Sequence, residues 1–153
     1  MKIAVTGGTG FVGRNLVNRL LSDNHEITVL ANRQSAKELF GKKVRAVSGS
    51  VHNFPDLIPV FQESQVVYHL VGIIAETRKN TFEKTVAEGT KNIVAACREA
   101  GVKKIIYLSS LGTSANAQSA YHKTKYLAEQ SVINSGLEWV IFRSSIIYGK
   151  GDG

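Results

Sequence analysis

Tyr121 and Lys125 stand four residues apart, so any helix that holds both presents them on one face. A free phenol has a pKa of ~10, too high for easy proton exchange near neutrality. An ammonium beside it stabilises the phenolate and lowers that value. Such a pair can give a proton to a carbonyl oxygen or take one from an alcohol. Ser109-Ser110 ends an apolar run eleven residues before Tyr121, and a hydroxyl there can hold the same oxygen. Tyr-x-x-x-Lys is weak alone, because surface helices often carry such a pair. Its meaning depends on the elements that position it.

Those elements begin at the first residue. Met1–Thr6 reads as a short apolar strand, and Gly7-Gly8-Thr9-Gly10-Phe11-Val12-Gly13 follows at once. A helical pattern with apolar Phe11, Val12, Leu16, Val17, Leu20 and Leu21 comes next. Two glycine registers fit, Gly8-x-Gly10-x-x-Gly13 and Gly7-x-x-Gly10-x-x-Gly13. In either, glycine permits a tight turn, a close approach by a pyrophosphate and close packing of helix on strand. The free N–H groups at the helix start favour phosphate oxygens, as does the helix dipole. This is a dinucleotide site, and it gives Tyr121 a partner reaction: proton exchange while hydride moves to or from nicotinamide.

Strand and helix patterns alternate along the chain. The strands read as Ile3–Thr6, Glu26–Ala31, Val44–Val47, Val66–Val71, Lys103–Ser109 and Leu137–Phe142. The helices read as Phe11–Leu21, a short one near Ser35–Phe40, Phe82–Ala100 and Tyr121–Asn134, while Pro55 and Pro59 lie in a segment left without an element. Near-continuous apolar strands alternating with helices imply an α/β fold, a doubly wound parallel sheet covered on both faces. Right-handed crossovers give strand order 3-2-1-4-5-6, a Rossmann fold spanning residues 1–153 as one domain.

In that architecture ligands bind at the carboxyl ends of the strands. After the second strand come Ala31-Asn32-Arg33. An NAD site usually has an acidic residue here, and this chain has none. Arg33 is placed to meet a 2′-phosphate, so NADP(H) is favoured, with NAD(H) as the alternative. Ser50 and Val51 after the third strand, and Leu70, Val71 and Gly72 at the fourth, border the adenosine half.

Composition agrees with a globular domain: 153 residues, 43% hydrophobic and 20% charged. No apolar run approaches the ~20 residues that span a bilayer, so no membrane insertion is expected. The first strand pattern starts at Met1, so no leader is expected, and Cys97 is the only cysteine, reading as core. A cytoplasmic protein is the expectation. The net charge of +7 raises nucleic acid as a partner. The basic residues are scattered in pairs without interleaved aromatics, so none is expected. His25, His52, His69 and His122 lack metal-site spacing. His69 reads as a hydrogen-bonded core residue, His122 as pointing away from Tyr121, Trp139 as core, and Asp56 and Glu63 as too isolated for paired-carboxylate chemistry.

Taken together, Thr6–Gly13, Ser109-Ser110, Tyr121–Lys125 and Phe142-Arg143-Ser144-Ser145-Ile146-Ile147-Tyr148-Gly149 resemble the short-chain dehydrogenase/reductase superfamily. The match is to its extended or atypical branch of epimerase- and dehydratase-like proteins, and Glu88-Gly89-Thr90-Lys91-Asn92 fits that branch. Within it the chain is similar to the group related to the accessory dinucleotide-binding subunit of respiratory complex I. The resemblance implies that Gly7, Gly10, Phe11, Val12 and Gly13 hold the pyrophosphate. It makes Tyr121 the acid/base, Ser110 the group that positions the substrate oxygen, and Lys125 also a ligand of the nicotinamide ribose. Ser144, Ser145 and Ile146 would border the nicotinamide. Relatives often pair through the helices after the fourth and fifth strands, so a homodimer or larger assembly is among the forms implied.

The chain also departs from that pattern. Val86 stands where many relatives have asparagine, Ser144 where they have proline, and Ser50 where they have aspartate. The stretch from Ser110 to Tyr121 is short. Relatives continue beyond Tyr148-Gly149-Lys150-Gly151-Asp152-Gly153 into a substrate-binding portion, so the chain reads as a cofactor half. Two functions follow: an oxidoreductase or epimerase acting on a small carbonyl or alcohol, and a dinucleotide-binding module without turnover, as a redox sensor or accessory subunit.

Overall fold

The structure is a computed structural model that describes residues 1–149, 151 and 152. Lys150 and Gly153 of the terminal segment lie outside the described residues. Six strands form one parallel sheet in the order β3-β2-β1-β4-β5-β6. They are β1 (Lys2–Thr6), β2 (Glu26–Leu30), β3 (Val44–Val47), β4 (Val66–His69), β5 (Lys104–Ser110) and β6 (Glu138–Ser144). Connecting them are α1 (Phe11–Ser22), α2 (Arg33–Phe40), α3 (Phe54–Phe61), α4 (Gly89–Glu99) and α5 (Ala120–Ile133). A π-helical segment, Glu83–Glu88, runs directly into α4.

The two-residue period of the strands divides the core. Ile3, Val5, Ile27 and Val29 face α1 and α2, where Val17, Leu20, Ala36 and Phe40 pack on them. Ala4, Val67, Ile105 and Tyr107 face the other side, covered by α3, α4 and α5 through Leu57, Val60, Ile93, Cys97 and Val132. Cys97 is fully buried, and burial pushes its thiol up. Each such aliphatic side chain contributes ~1.5–3 kcal/mol by leaving water.

The Pro55–Pro59 segment is helix α3, which sequence reading left without an element. Pro55 sits in its first turn, where a missing N–H costs nothing, whereas Pro59 lies inside the helix and forfeits the bond to the Pro55 carbonyl. Leu57, Val60 and Phe61, all at 0% exposure, supply the tertiary packing that overrides the propensity. The expected core role of Trp139 is corrected. It is 44% exposed because β6 is the sheet edge, and Val140 and Phe142 beside it are exposed too. Among the described residues no helix is long and apolar enough to cross a membrane.

Candidate active site

β1 leads straight into the glycine turn. Gly7 has φ +75°, which favours glycine, and a Cβ there would lie 3.0 Å from the backbone of Leu70 and Val71. A Cβ on Gly13 would lie 2.1 Å from the Gly7 carbonyl oxygen. Gly13 serves both registers, and the positive φ of Gly7 favours Gly7-x-x-Gly10-x-x-Gly13. Gly10 caps α1 without a side-chain bond, and the first turn of α1 holds no acidic residue. Its N–H groups therefore meet no competing side chain, and the cradle fits a pyrophosphate.

At the other side of the sheet switch, α5 carries the Tyr/Lys pair over the end of β5. Ser119 starts this helix by accepting the His122 N–H at 3.1 Å. Lys125 is 4% exposed. Its ammonium donates to the Leu108 carbonyl at 2.8 Å and lies 4.9 Å from the Tyr107 ring centre and 6.0 Å from that of Tyr121. Burial pulls its pKa from 10.5 to about 8, against the opposing pull of the Glu129 carboxylate. Gly72 leaves the ammonium open to the cleft, since an added Cβ would sit 3.5 Å from Nζ. The Tyr121 ring is held edge-on by Phe82 at 5.6 Å and His122 at 5.1 Å. His122 thus packs against Tyr121, correcting the expectation that it points elsewhere; the first turn of α5 brings adjacent rings together.

Ser110, Tyr121 and Lys125 line one cleft of about 300 Å³ with Leu70, Gly72, Ser144, Ser145 and Ile146. The Ser110 hydroxyl donates to the Leu111 carbonyl at 3.3 Å. Phe11 and Val12 line a neighbouring recess against Ile147 and Tyr148. Gly10 and the half-buried Thr9 complete the turn. Val71 packs on the core. Arg33, Ser50 and Val51 lie beyond β1, at the ends of β2 and β3, and do not line the cleft. Arg33 is the exposed first residue of α2, whose N–H groups at Gln34 and Ser35 are capped by Asn32 at 2.8 and 3.3 Å. Val51 is 5% exposed, and its carbonyl accepts the Asn92 amide at 2.9 Å.

His69 is the hydrogen-bonded core residue that its place in a strand predicts, while several residues that support the site escaped sequence reading. The Asp56 carboxylate accepts the Ser50 N–H at 3.0 Å and the Asn53 amide at 2.8 Å, so it shapes the turn after β3. A buried polar row crosses the sheet beneath the site. Thr6 bonds His69 Nδ1 at 2.8 Å, His69 Nε2 meets Thr90 at 2.9 Å, and Thr90 donates to the Val86 carbonyl at 2.6 Å. His69 stacks on Tyr107 at 5.2 Å. Burial, then the nearby Lys125 charge, pulls the His69 pKa to about 3, so the imidazole is neutral. Burial pushes the Tyr107 phenol up, and its hydroxyl has no hydrogen-bond partner among the described residues. Glu129, 1% exposed, accepts hydrogen bonds from Nε and Nη2 of Arg143 at 2.9 and 2.7 Å. Polar residues inside strand patterns were the available signal for the row; Asp56 gave none.

A glycine turn at a helix N-terminus, set beside the switch between β1 and β4, defines a dinucleotide-binding α/β domain. The chain belongs to the family described as NAD(P)H-binding, whose model matches residues 7–152. It is 30% identical over 180 residues to a 3-beta-hydroxysteroid dehydrogenase of Mycolicibacterium neoaurum, covering 99% of this chain and 49% of that protein. It is 30% identical over 151 residues to a ceramide reductase of Caulobacter vibrioides, covering 98% and 47%. A short-chain dehydrogenase/reductase superfamily protein from Agrobacterium tumefaciens, solved with bound NAD, superposes with TM-score 0.76 at 25% identity, covering 94% of this chain and 48% of the other. The chain thus spans about half the length of the curated relatives it matches.

Proposed function

We propose that this domain binds a nicotinamide dinucleotide and, in the whole protein, reduces a carbonyl or oxidises an alcohol. The observation that carries the reading is the convergence of Ser110, Tyr121 and Lys125 in one cleft beside the glycine turn. The Gly7–Gly13 cradle would hold the pyrophosphate, Lys125 the nicotinamide ribose, and Ser144, Ser145 and Ile146 the nicotinamide edge. When bound, the reduced nicotinamide supplies hydride to the carbonyl carbon. Ser110 holds the carbonyl oxygen, and Tyr121 gives its phenolic proton to that oxygen as negative charge develops there. The nearby Lys125 ammonium stabilises the phenolate left behind, and solvent returns the proton.

NADP(H) is the favoured form. Arg33 opens α2 beyond the end of β2, and no carboxylate stands there to bind the ribose hydroxyls and repel a phosphate. The names of the relatives, a steroid dehydrogenase and a ceramide reductase, support carbonyl chemistry. Calorimetric titration of NADPH and NADH into the wild type and Arg33→Ala tests the cofactor assignment: NADPH binds tighter, and the variant loses that preference. Tyr121→Phe tests the chemistry, because turnover disappears while cofactor binding stays. Equal turnover in the variant refutes the role of Tyr121.

One observation favours the second reading, a dinucleotide-binding module without turnover. Val86 is fully buried where an asparagine would offer a polar side chain, and its carbonyl is taken by Thr90. A proton path from Lys125 through that helix lacks this side chain. Cofactor binding with no reaction on any carbonyl would establish this reading.

A further inference from the structure

The cleft is polar at its floor and apolar at its mouth. Ser109, Ser110, Tyr121 and Lys125 form the floor, where the reacting oxygen would sit. Ile73 and Ile74 after β4, and Ile146 and Ile147 after β6, form the mouth. Ile146, 88% exposed, is taken up by the nicotinamide in the reading above, but Ile74 is 94% exposed and Ile147 40%, although an aliphatic side chain of that size gains ~1.5–3 kcal/mol on burial. A substrate that covers these two recovers that energy. A pocket with an apolar wall and a few convergent polar groups fits a ligand with one polar point on an apolar body.

Charge points the same way. The only cation lining the cleft among the described residues is Lys125, buried beneath Tyr121 and already donating to Leu108. Arg143, from the adjoining strand end, is tied in two bonds to Glu129. Arg14, from the glycine-turn side, lies against Gly151. Among the described residues no free cation is therefore presented in the cleft to a substrate carboxylate or phosphate, and bringing such an anion there leaves it desolvated and unpaired by them.

We propose that the substrate of this site is a neutral carbonyl compound, or the matching alcohol, on an extended apolar body without carboxylate or phosphate. Its C=O would reach Ser110 and Tyr121, and its hydrocarbon would lie across Ile73, Ile74 and Ile147. The proposal rests on the oxidoreductase reading above. The reaction balances as that reading requires. Hydride from a reduced nicotinamide dinucleotide forms the new C–H bond, the C=O electron pair moves to oxygen, and the Tyr121 proton completes the hydroxyl. The dinucleotide leaves oxidised.

The test uses the full chain, NADPH, and a matched pair of probes, 2-decanone and 9-oxodecanoate, which differ by one terminal carboxylate. NADPH oxidation gives kcat/KM, and calorimetry of 2-decanol and 9-hydroxydecanoate on the NADP-loaded chain gives binding without turnover. The neutral member of each pair is expected to win by at least about tenfold, equal to about 1.4 kcal/mol. Ile74→Lys, at the mouth and away from the reacting groups, is expected to cut that ratio at least about tenfold and leave the NADPH Kd unchanged. NADPH binding with equal or better recognition of the carboxylates overturns this proposal and leaves the dinucleotide site standing. NADPH binding with neither probe pair bound also overturns it. An Ile74→Lys ratio equal to wild type removes the mouth from the argument and overturns it as stated. Failure of NADPH and NADH alike to bind refutes the underlying reading, and this proposal falls with it.

Discussion

Replacing Lys125 by methionine should stabilise the protein at neutral pH. The ammonium is 4% exposed, has one carbonyl partner, and its pKa has fallen from 10.5 to about 8. The sign follows from proton binding. Between about pH 8 and 10.5 the unfolded chain holds the proton more tightly than the folded one, so stability rises with pH across that window. Below it the folded state carries the full penalty, about 3 kcal/mol at ~1.36 kcal/mol per pH unit. Methionine keeps the packed stem without the charge and leaves the Leu108 carbonyl without its donor, a loss of ~1–2 kcal/mol. The expected net gain is about 1–2 kcal/mol near pH 7, and it reverses to a loss of about the same size near pH 10.5. Urea unfolding of wild type and Lys125→Met at several pH values measures the difference, in which the other titrating groups cancel. A difference that stays flat from about pH 7 to 10.5 refutes the reasoning. The residue proposed to promote the chemistry would then not be held at a cost to the fold.

Three further outcomes are expected. Gly13→Ala forces a Cβ to within 2.1 Å of the Gly7 oxygen, so the turn must shift; unfolding shows a loss of ~1–3 kcal/mol and calorimetry at least about tenfold weaker NADPH binding. Arg143→Met strands the buried Glu129 carboxylate and, because Arg143 itself is half exposed, costs ~1–2 kcal/mol, most of which Glu129→Gln restores in the double variant; additive losses would contradict this. His69, neutral in the fold with a pKa of about 3, makes stability fall as pH drops below 6.5, because the unfolded chain takes up the proton first. Relative to His69→Phe, the wild type loses about 1.4 kcal/mol per pH unit down to about pH 3, and parallel acid-unfolding curves would contradict it.

The beginning of the fold was legible because local signals there agree with the global arrangement. An apolar strand, three glycines and an amphipathic helix in succession have few other uses, and strand order followed from alternation and handedness. The spacing of Tyr121 and Lys125 gave their shared face. What sequence could not give is neighbourhood. Trp139 has the pattern of a buried strand residue; the expected strand order put the sixth strand at the edge without telling that its faces stay uncovered there. Two prolines hid α3, whose stability comes from Leu57, Val60 and Phe61 packing on distant elements. His122 reaches Tyr121 through ring geometry at a helix start, which i, i+4 counting does not see. Asp56 reads as an isolated carboxylate until the turn after β3 folds back onto it.

The row Thr6–His69–Thr90 also bears on how the chain finds one arrangement rather than several. A parallel sheet apolar on both faces specifies strand alignment weakly, since sliding β4 by two residues along β1 exchanges one aliphatic contact for another. Thr6 is paired with His69 in that ladder, and His69 with Tyr107. A slip would strand the imidazole and the Thr6 hydroxyl in the interior, at ~1–3 kcal/mol for each group left unpaired, while Thr90 would keep the Val86 carbonyl. The imidazole thus works as an alignment peg. Because Thr6 is followed directly by Gly7, locking β1 against β4 also sets how far the glycine turn projects beyond the sheet.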